Sequence, residues 1–199
     1  MIALHGLLIA LTISGKPAYR PPRESAPAQA PATAPDETLS DDEVRARVES
    51  YLGSIDVPVT HGKWSALGPR AVPLLEKMLS NRSAPPSRRA AAVGGLAAIG
   101  GTRARELVVG VARSEDEPFA VRAAALHGAP HVLKSGALVR ELKPVLQGAR
   151  DPATRAAAAE VLAHGAPRSA CAAIRAQVKR EGQHRAHFER ALERCGSQP

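Results

Sequence analysis

Aromatic side chains are scarce in this 199-residue chain, which holds two Tyr, two Phe and one Trp, 3% in all. Strands of sandwiches and barrels lean on Val, Ile, Thr and aromatic residues, so the scarcity disfavours an all-β fold. No apolar run of about 18 residues or more occurs within the body, and no internal membrane span is expected. Catalytic motifs are missing as well. There is no Gly-x-Ser-x-Gly elbow, and nothing sets a Ser, Cys or carboxylate nucleophile beside a base. The stretch Gly95 to Thr102 nearly spells a phosphate loop, but Gly101 stands where the lysine would reach the phosphates. Neither an enzyme nor a bound cofactor is expected.

What the chain does have is Ala, Leu and scattered Val within a hydrophobic fraction of 44%, a composition suited to close-packed helices. The formal charge is +8, and the first 38 residues contribute none of it. There Lys16, Arg20 and Arg23 cancel Glu24, Asp36 and Glu37. Residues 1–15 open with MIALHGLLIALTI, too short for a bilayer span but right for the apolar region of a signal peptide, with small residues allowing cleavage after Ser14. The Lys or Arg that usually precedes such a run is missing; the segment reads as a signal peptide or an apolar N-terminal anchor, and export is the expected localisation with the cytoplasm as the alternative. Residues 16–39 carry Pro17, Pro21, Pro22, Pro27, Pro31 and Pro35 among small polar residues, the composition of a disordered, semi-rigid linker.

Residues 40–196 are organised by internal repetition. Arg89 begins RAAAVGGLAAIG, Arg122 begins RAAAL, Arg155 begins RAAAAEVLAHG and Arg185 begins RAHFERALERCG, at separations of 33, 33 and 30. Seven residues after three of these arginines stand Leu96, Leu162 and Leu192; Gly100, Gly165 and Gly196 follow. Apolar positions at +3 or +4 and +7 are two turns of one helical face, and the glycine is where such a helix ends. An apolar helical pattern precedes each segment. Aligning Leu74, Leu107, Leu142 and Ile174 gives spacings of 33, 35 and 32. Each unit is thus helix, turn, helix, turn. A lone pair of short helices cannot cover its own apolar face, so the units are expected to stack as an all-α α-solenoid of about four repeats.

Start signals agree. Asp151-Pro152 offers a capping carboxylate before a proline at the first helical position, and Glu117-Pro118 and Pro86-Ser87 occupy matching places. A further helix led by Asp41-Asp42-Glu43, with Arg45, Val48 and Leu52 in one register, reads as a half-repeat before unit one, followed by a loop around Asp56 to Gly62. The sequence His127-Gly-Ala-Pro130 predicts a kink or an early end in the second helix of unit two. An acidic turn residue, Val-Arg-x-Ala-Ala, then Leu and Gly, as in Asp116 to Leu126 and Asp151 to Gly165, resembles the bacterial HEAT repeat. The segment Leu67 to Leu75 is similar to the first helix of such repeats. The resemblance implies a protein-binding scaffold.

Two kinds of cation stand out. Arg89, Arg122, Arg155 and Arg185 recur with the repeat and are expected to be structural, pairing with acidic turn residues (Asp116 or Glu117, Asp151, Glu181) between units. The less patterned Arg168, Arg175, Lys179, Arg180, Arg190 and Arg194 are the candidates for binding, in a segment, 166–199, with seven Lys and Arg against three Glu. Such an excess can attract nucleic acid, though a solvated face is the plainer account. The pairs His127/His131 and His184/His187 have ligand-like helical spacing, with Glu160 and His164 four apart in the next unit, but no third ligand in register is evident and no metal site is expected. Cys171 and Cys195 lie near the open end of the last helix pair. They read either as a disulfide stapling that hairpin, worth about 3 kcal/mol, or as two buried thiols; export favours the bond. A non-enzymatic scaffold binding another protein is the favoured function, and a nucleic-acid-binding solenoid the alternative.

Overall fold

A computed structural model of the chain describes residues 39–54, 58–182 and 184–196. All of these fall in one compact unit, Ala34–Pro199. The apolar N-terminus, the proline-rich linker and the middle of the loop after Gly53 lie outside the described residues. Within them the protein is all-α, with ten α-helices, one short 3-10 turn and no strand.

Helix α1 (Asp41–Gly53) starts at a capping box. The Ser40 hydroxyl accepts from the Glu43 N–H at 3.3 Å and Glu43 accepts from the Ser40 N–H at 2.7 Å, satisfying two donors that the first turn leaves orphaned. Val44, Val48 and Leu52 form its buried stripe. Arg45, which sequence spacing placed in that register, instead lies outside and pairs with Asp42 at 2.7 Å. Its neighbour Val44 takes the inward place, because an apolar side chain gains by leaving water and a guanidinium does not. Helix α2 (His61–Ser65), capped by Thr60, occupies part of the expected loop. Its single buried residue, Trp64, meets Tyr51 of α1 edge to face at 5.1 Å, a favoured aromatic geometry.

After a 3-10 turn (Pro69–Ala71), eight helices follow as four hairpins: α3 (Val72–Ser80) with α4 (Pro86–Ile99), α5 (Gly101–Arg113) with α6 (Phe119–Val132), α7 (Ser135–Gly148) with α8 (Pro152–Gly165), and α9 (Pro167–Val178) with α10 (Arg185–Gly196). Pro86, Pro152 and Pro167 each take a first helical position, where the missing N–H costs nothing. Between α4 and α5 the chain reverses through Gly100 and Gly101 at φ 73° and 86°, a left-handed conformation that suits glycine and strains other residues. The two helices follow each other without a loop.

The periodic positions line the interior. Three residues after each repeat arginine stand Ala92, Ala125, Ala158 and Phe188, all fully buried, and Leu96 and Leu162 are equally enclosed. Helices α4, α6, α8 and α10 each pack on the next, as do α5, α7 and α9, with α3 touching α5. Small residues set the spacing. A Cβ on Gly128 of α6 would stand 2.7 Å from the Ala97 Cβ of α4, closer than real side chains come.

Two sequence expectations need correction. In the first helices of the hairpins the enclosed residues are Leu75, Val108, Leu142 and Ile174, so the register moves by one residue in the first two units. Leu74-Leu75 and Leu107-Val108-Val109 offer adjacent apolar residues, and period alone does not choose between them. Helix α6 also continues through Pro130 to Val132. Pro130 sits in the final turn, where its missing N–H forfeits a single bond, and the Leu133 N–H closes the helix on the Ala129 carbonyl at 2.9 Å.

Candidate interaction surface

Three of the repeat arginines are drawn into ion pairs beside the hairpin turns, with Arg89 and Arg122 buried and Arg155 half-buried. Arg89 of α4 is 3% exposed and Glu117, from the turn before α6, is 5% exposed; they pair at 2.5 Å. The Arg89 Nε donates to the Leu79 carbonyl at 3.0 Å, so one side chain ties α3, α4 and the next turn together. Arg155 of α8 reaches Glu181 in the turn before α10 through two bonds of 2.5 and 2.9 Å, and its other Nη donates to the Ala149 carbonyl at 2.6 Å. Gln177 adds a further donor to Glu181 at 2.7 Å. Those bonds, from Arg155 first, hold the Glu181 carboxyl below the usual range against the opposing effect of burial.

Arg122 of α6 chooses a different acid from the one its sequence position suggests. It pairs with Glu115 of its own hairpin turn at 3.0 Å. Glu115 in turn accepts from the Arg150 N–H at 3.4 Å, so the rung still reaches the following hairpin. Asp151 is engaged elsewhere, capping α8 with bonds from the Ala153 N–H, the Thr154 N–H and the Thr154 hydroxyl at 3.1, 3.0 and 2.6 Å. Burial pushes its carboxyl up, but these bonds, with the charge of Arg122, bring it below the usual range. Asp116, the other acid considered for Arg89, accepts at its carbonyl from Arg82 at 3.5 Å. Arg185 is an exposed cation bonded to Glu189 one turn along at 2.9 Å.

The unpatterned cations are less uniform. Arg168, Arg175, Lys179 and Arg180 lie exposed on α9 and the turn after it. Arg190 bonds the His187 ring at 3.0 Å, and Arg194 reaches across to α8, to Glu160 at 3.3 Å and the His164 ring at 3.1 Å. Cys171 and Cys195 are joined by a disulfide with a Cα–Cα distance of 5.8 Å, which closes the open end of the last hairpin.

Histidines far apart in sequence gather on one face. His127 and His131 of α6 share a hollow of about 370 Å³ with Glu160 and His164 of α8, over a floor of Pro130, Val161 and Gly165. The same two histidines rim a second hollow of about 300 Å³, with His61 and Trp64 of α2 on its far side and Gly94, Ala97 and Ala98 of α4 beneath. The rings of His61 and His131 stand 4.8 Å apart, centroid to centroid. No spacing rule could reveal that contact, because the two histidines belong to different elements 70 positions apart. Among the described residues no group of three or more His, Cys, Asp or Glu is placed to hold a metal ion. His184 and His187, the other pair, contact each other at 5.7 Å beside the start of α10. No described helix is long and apolar enough to cross a membrane.

No family model, no curated protein and no solved structure matches this chain.

Proposed function

We propose that the protein is a non-enzymatic scaffold whose hairpins stack as a HEAT-like α-solenoid, and that it binds another protein on the face formed by α2, α4, α6 and α8. The observation that carries this reading is the pair of adjoining hollows on that face, with small and apolar floors open to solvent. Concave hollows lined by small and apolar residues, with polar groups at the rim, are where ligands and partners dock. The most regular cations do not compete for the role, since Arg89, Arg122 and Arg155 are engaged in ion pairs at the hairpin junctions. Export or tethering through residues 1–15 agrees with the Cys171–Cys195 bond, because disulfides persist in oxidising compartments.

Gly94 offers the test. It lines the second hollow as an exposed position of α4, and a Cβ there meets nothing within 4 Å. Gly94→Arg therefore keeps the helix, gains up to about 1 kcal/mol of helix propensity and blocks the face. Affinity capture from host extract at pH 5.5 and 7.5 should recover a protein that the Gly94→Arg chain no longer retains, with thermal unfolding unchanged or raised. Equal recovery by both chains would contradict the proposal. The second reading, nucleic-acid binding, draws on the exposed Arg175, Lys179 and Arg180. It requires binding that falls steeply between about 50 and 200 mM salt and weakens in Arg175→Ala/Lys179→Ala.

A further inference from the structure

Charge is unevenly spread along the first helices of the hairpins. Helices α3 and α5 carry acids among their cations, and Glu76 and Glu106 both bond Arg103. Helix α9 contains no Asp or Glu. Its Arg168 and Arg175, with Lys179 at its C-cap, fall at i, i+7 and i+11, an exposed stripe opposite the buried Ala170, Ile174 and Gln177. On α7, which packs beside α9, Arg140 and Lys143 are exposed opposite Leu138, Leu142 and Val145. Lys143 and Arg175 directly follow the enclosed Leu142 and Ile174, so they take matching places on the two adjoining helices. The single acid of α7, Glu141, is shared between Arg113 at 2.5 Å and Arg140 at 3.0 Å. Glu181, in the turn after α9, is buried against Arg155.

We infer that the outward faces of α7 and α9 dock the protein on the head groups of an anionic lipid bilayer. Charge complementarity carries the inference. Arg140, Lys143, Arg168, Arg175 and Lys179 spread over two adjoining helices, and the exposed residues between the cations of α9 are the short Ser169, Ala172 and Ala176. Long cationic side chains rising above such short neighbours reach a flat layer of phosphates first. Two observations favour a bilayer over nucleic acid. Neither helix carries an aromatic residue on which a base could stack. The Cys171–Cys195 bond starts within α9 itself, and such bonds persist in oxidising compartments, apart from the nucleic acid of the cell. An apolar N-terminus read as an anchor agrees, because a weak apolar insertion and a polybasic patch together hold what neither holds alone. This face uses different helices from the proposed partner-binding face of α2, α4, α6 and α8, so either can be lost without the other.

The test is co-sedimentation of the full chain with vesicles of phosphatidylcholine, either alone or with about one third phosphatidylglycerol, at about 50 mM salt, where surface charge is weakly screened. Insertion of the apolar N-terminus would act on both kinds of vesicle, so the ratio of the two partition coefficients reads the basic face. That ratio should be at least about tenfold, since each Lys or Arg at such a surface contributes about fivefold. Lys143→Gln/Arg175→Gln/Lys179→Gln, all at exposed positions, should cut it below about threefold with unchanged thermal unfolding. Arg45→Gln/Lys63→Gln/Lys77→Gln removes the same charge from exposed positions of α1, α2 and α3 and should keep it within about twofold of the wild-type ratio. Equal partitioning to the two vesicles, a preference that survives the first triple variant, or one that both variants lose alike would overturn the inference. So would duplex DNA that, at equal phosphate concentration, strips the chain from the anionic vesicles, because the face would then fit nucleic acid better.

Discussion

In the three inner hairpins the residue three places after the repeat arginine is alanine (Ala92, Ala125, Ala158), and in the last hairpin it is Phe188; all four are fully buried. The arginines differ in the same way. Arg89, Arg122 and Arg155 reach turn carboxylates, whereas the side chain of Arg185 is 62% exposed and pairs, among the described residues, with Glu189 of its own helix. A following hairpin supplies the neighbouring helix that an alanine can accept closely and, for Arg89 and Arg155, the carboxylate as well; Arg122 takes Glu115 of its own hairpin turn, which in turn accepts from the Arg150 N–H. In the last described hairpin the arginine pairs within its own helix instead. A bulky ring fills the hairpin from within, and the Cys171–Cys195 disulfide closes it. The inner hairpins are tied to their neighbours by close helix contacts and ion pairs, whereas the last described hairpin is held by its own packing and a covalent bond.

Replacing the terminal aromatic tests that contrast most severely. Phe188→Ala should cost about 3–5 kcal/mol, with hydrogen-exchange protection lost first in α9 and α10. Uniform loss across α4 to α10 would mean that the last hairpin does not stand apart. Removing the disulfide should cost less. Closing a loop of 24 residues is worth about 3 kcal/mol on chain-entropy grounds. Cys171→Ser/Cys195→Ser should therefore lower the unfolding midpoint while leaving protection in α4 and α6 unchanged.

Acid probes the junctions. Asp151 and Glu181 have carboxyls held below their ordinary values, so the stability they contribute is complete above the usual carboxylate range near pH 4 and disappears as pH falls through their depressed values. Thermal melts should be flat from pH 7 to 5 with respect to these groups and fall below pH 4. Glu181→Gln should show a shallower acid fall than the wild-type chain; an identical profile would show that the junction to the last hairpin carries no linked charge.

Much of the helical arrangement could be read from spacing, and the reasons are visible in particular residues. The arginine period and the +3, +4 and +7 positions are local signals, and they coincide with the enclosed faces of α4, α6 and α8. Helix α2 escaped notice because five residues with one buried side chain, Trp64, show no period. The partner of Arg122 was unreadable because two acids, Glu115 and Asp151, lay within reach, and the capping demand of α8 decided between them. The histidine face depends on which helices become neighbours. His61 and His131 meet only after α2 has packed on α4 and α4 on α6. Sequence alone marked His127, His131, Glu160 and His164 as spaced pairs; their common hollow is a property of the packing.

The central claim is that the repeat arginines bind each hairpin to the next. A double-mutant cycle of Arg89→Ala and Glu117→Ala, read by chemical denaturation and set beside the same cycle for Arg185 and Glu189, tests it most directly. The buried pair should couple by about 2–3 kcal/mol and the exposed helical pair by no more than about 0.5 kcal/mol. Coupling between Arg89 and Glu117 as small as that of the exposed pair would contradict the account.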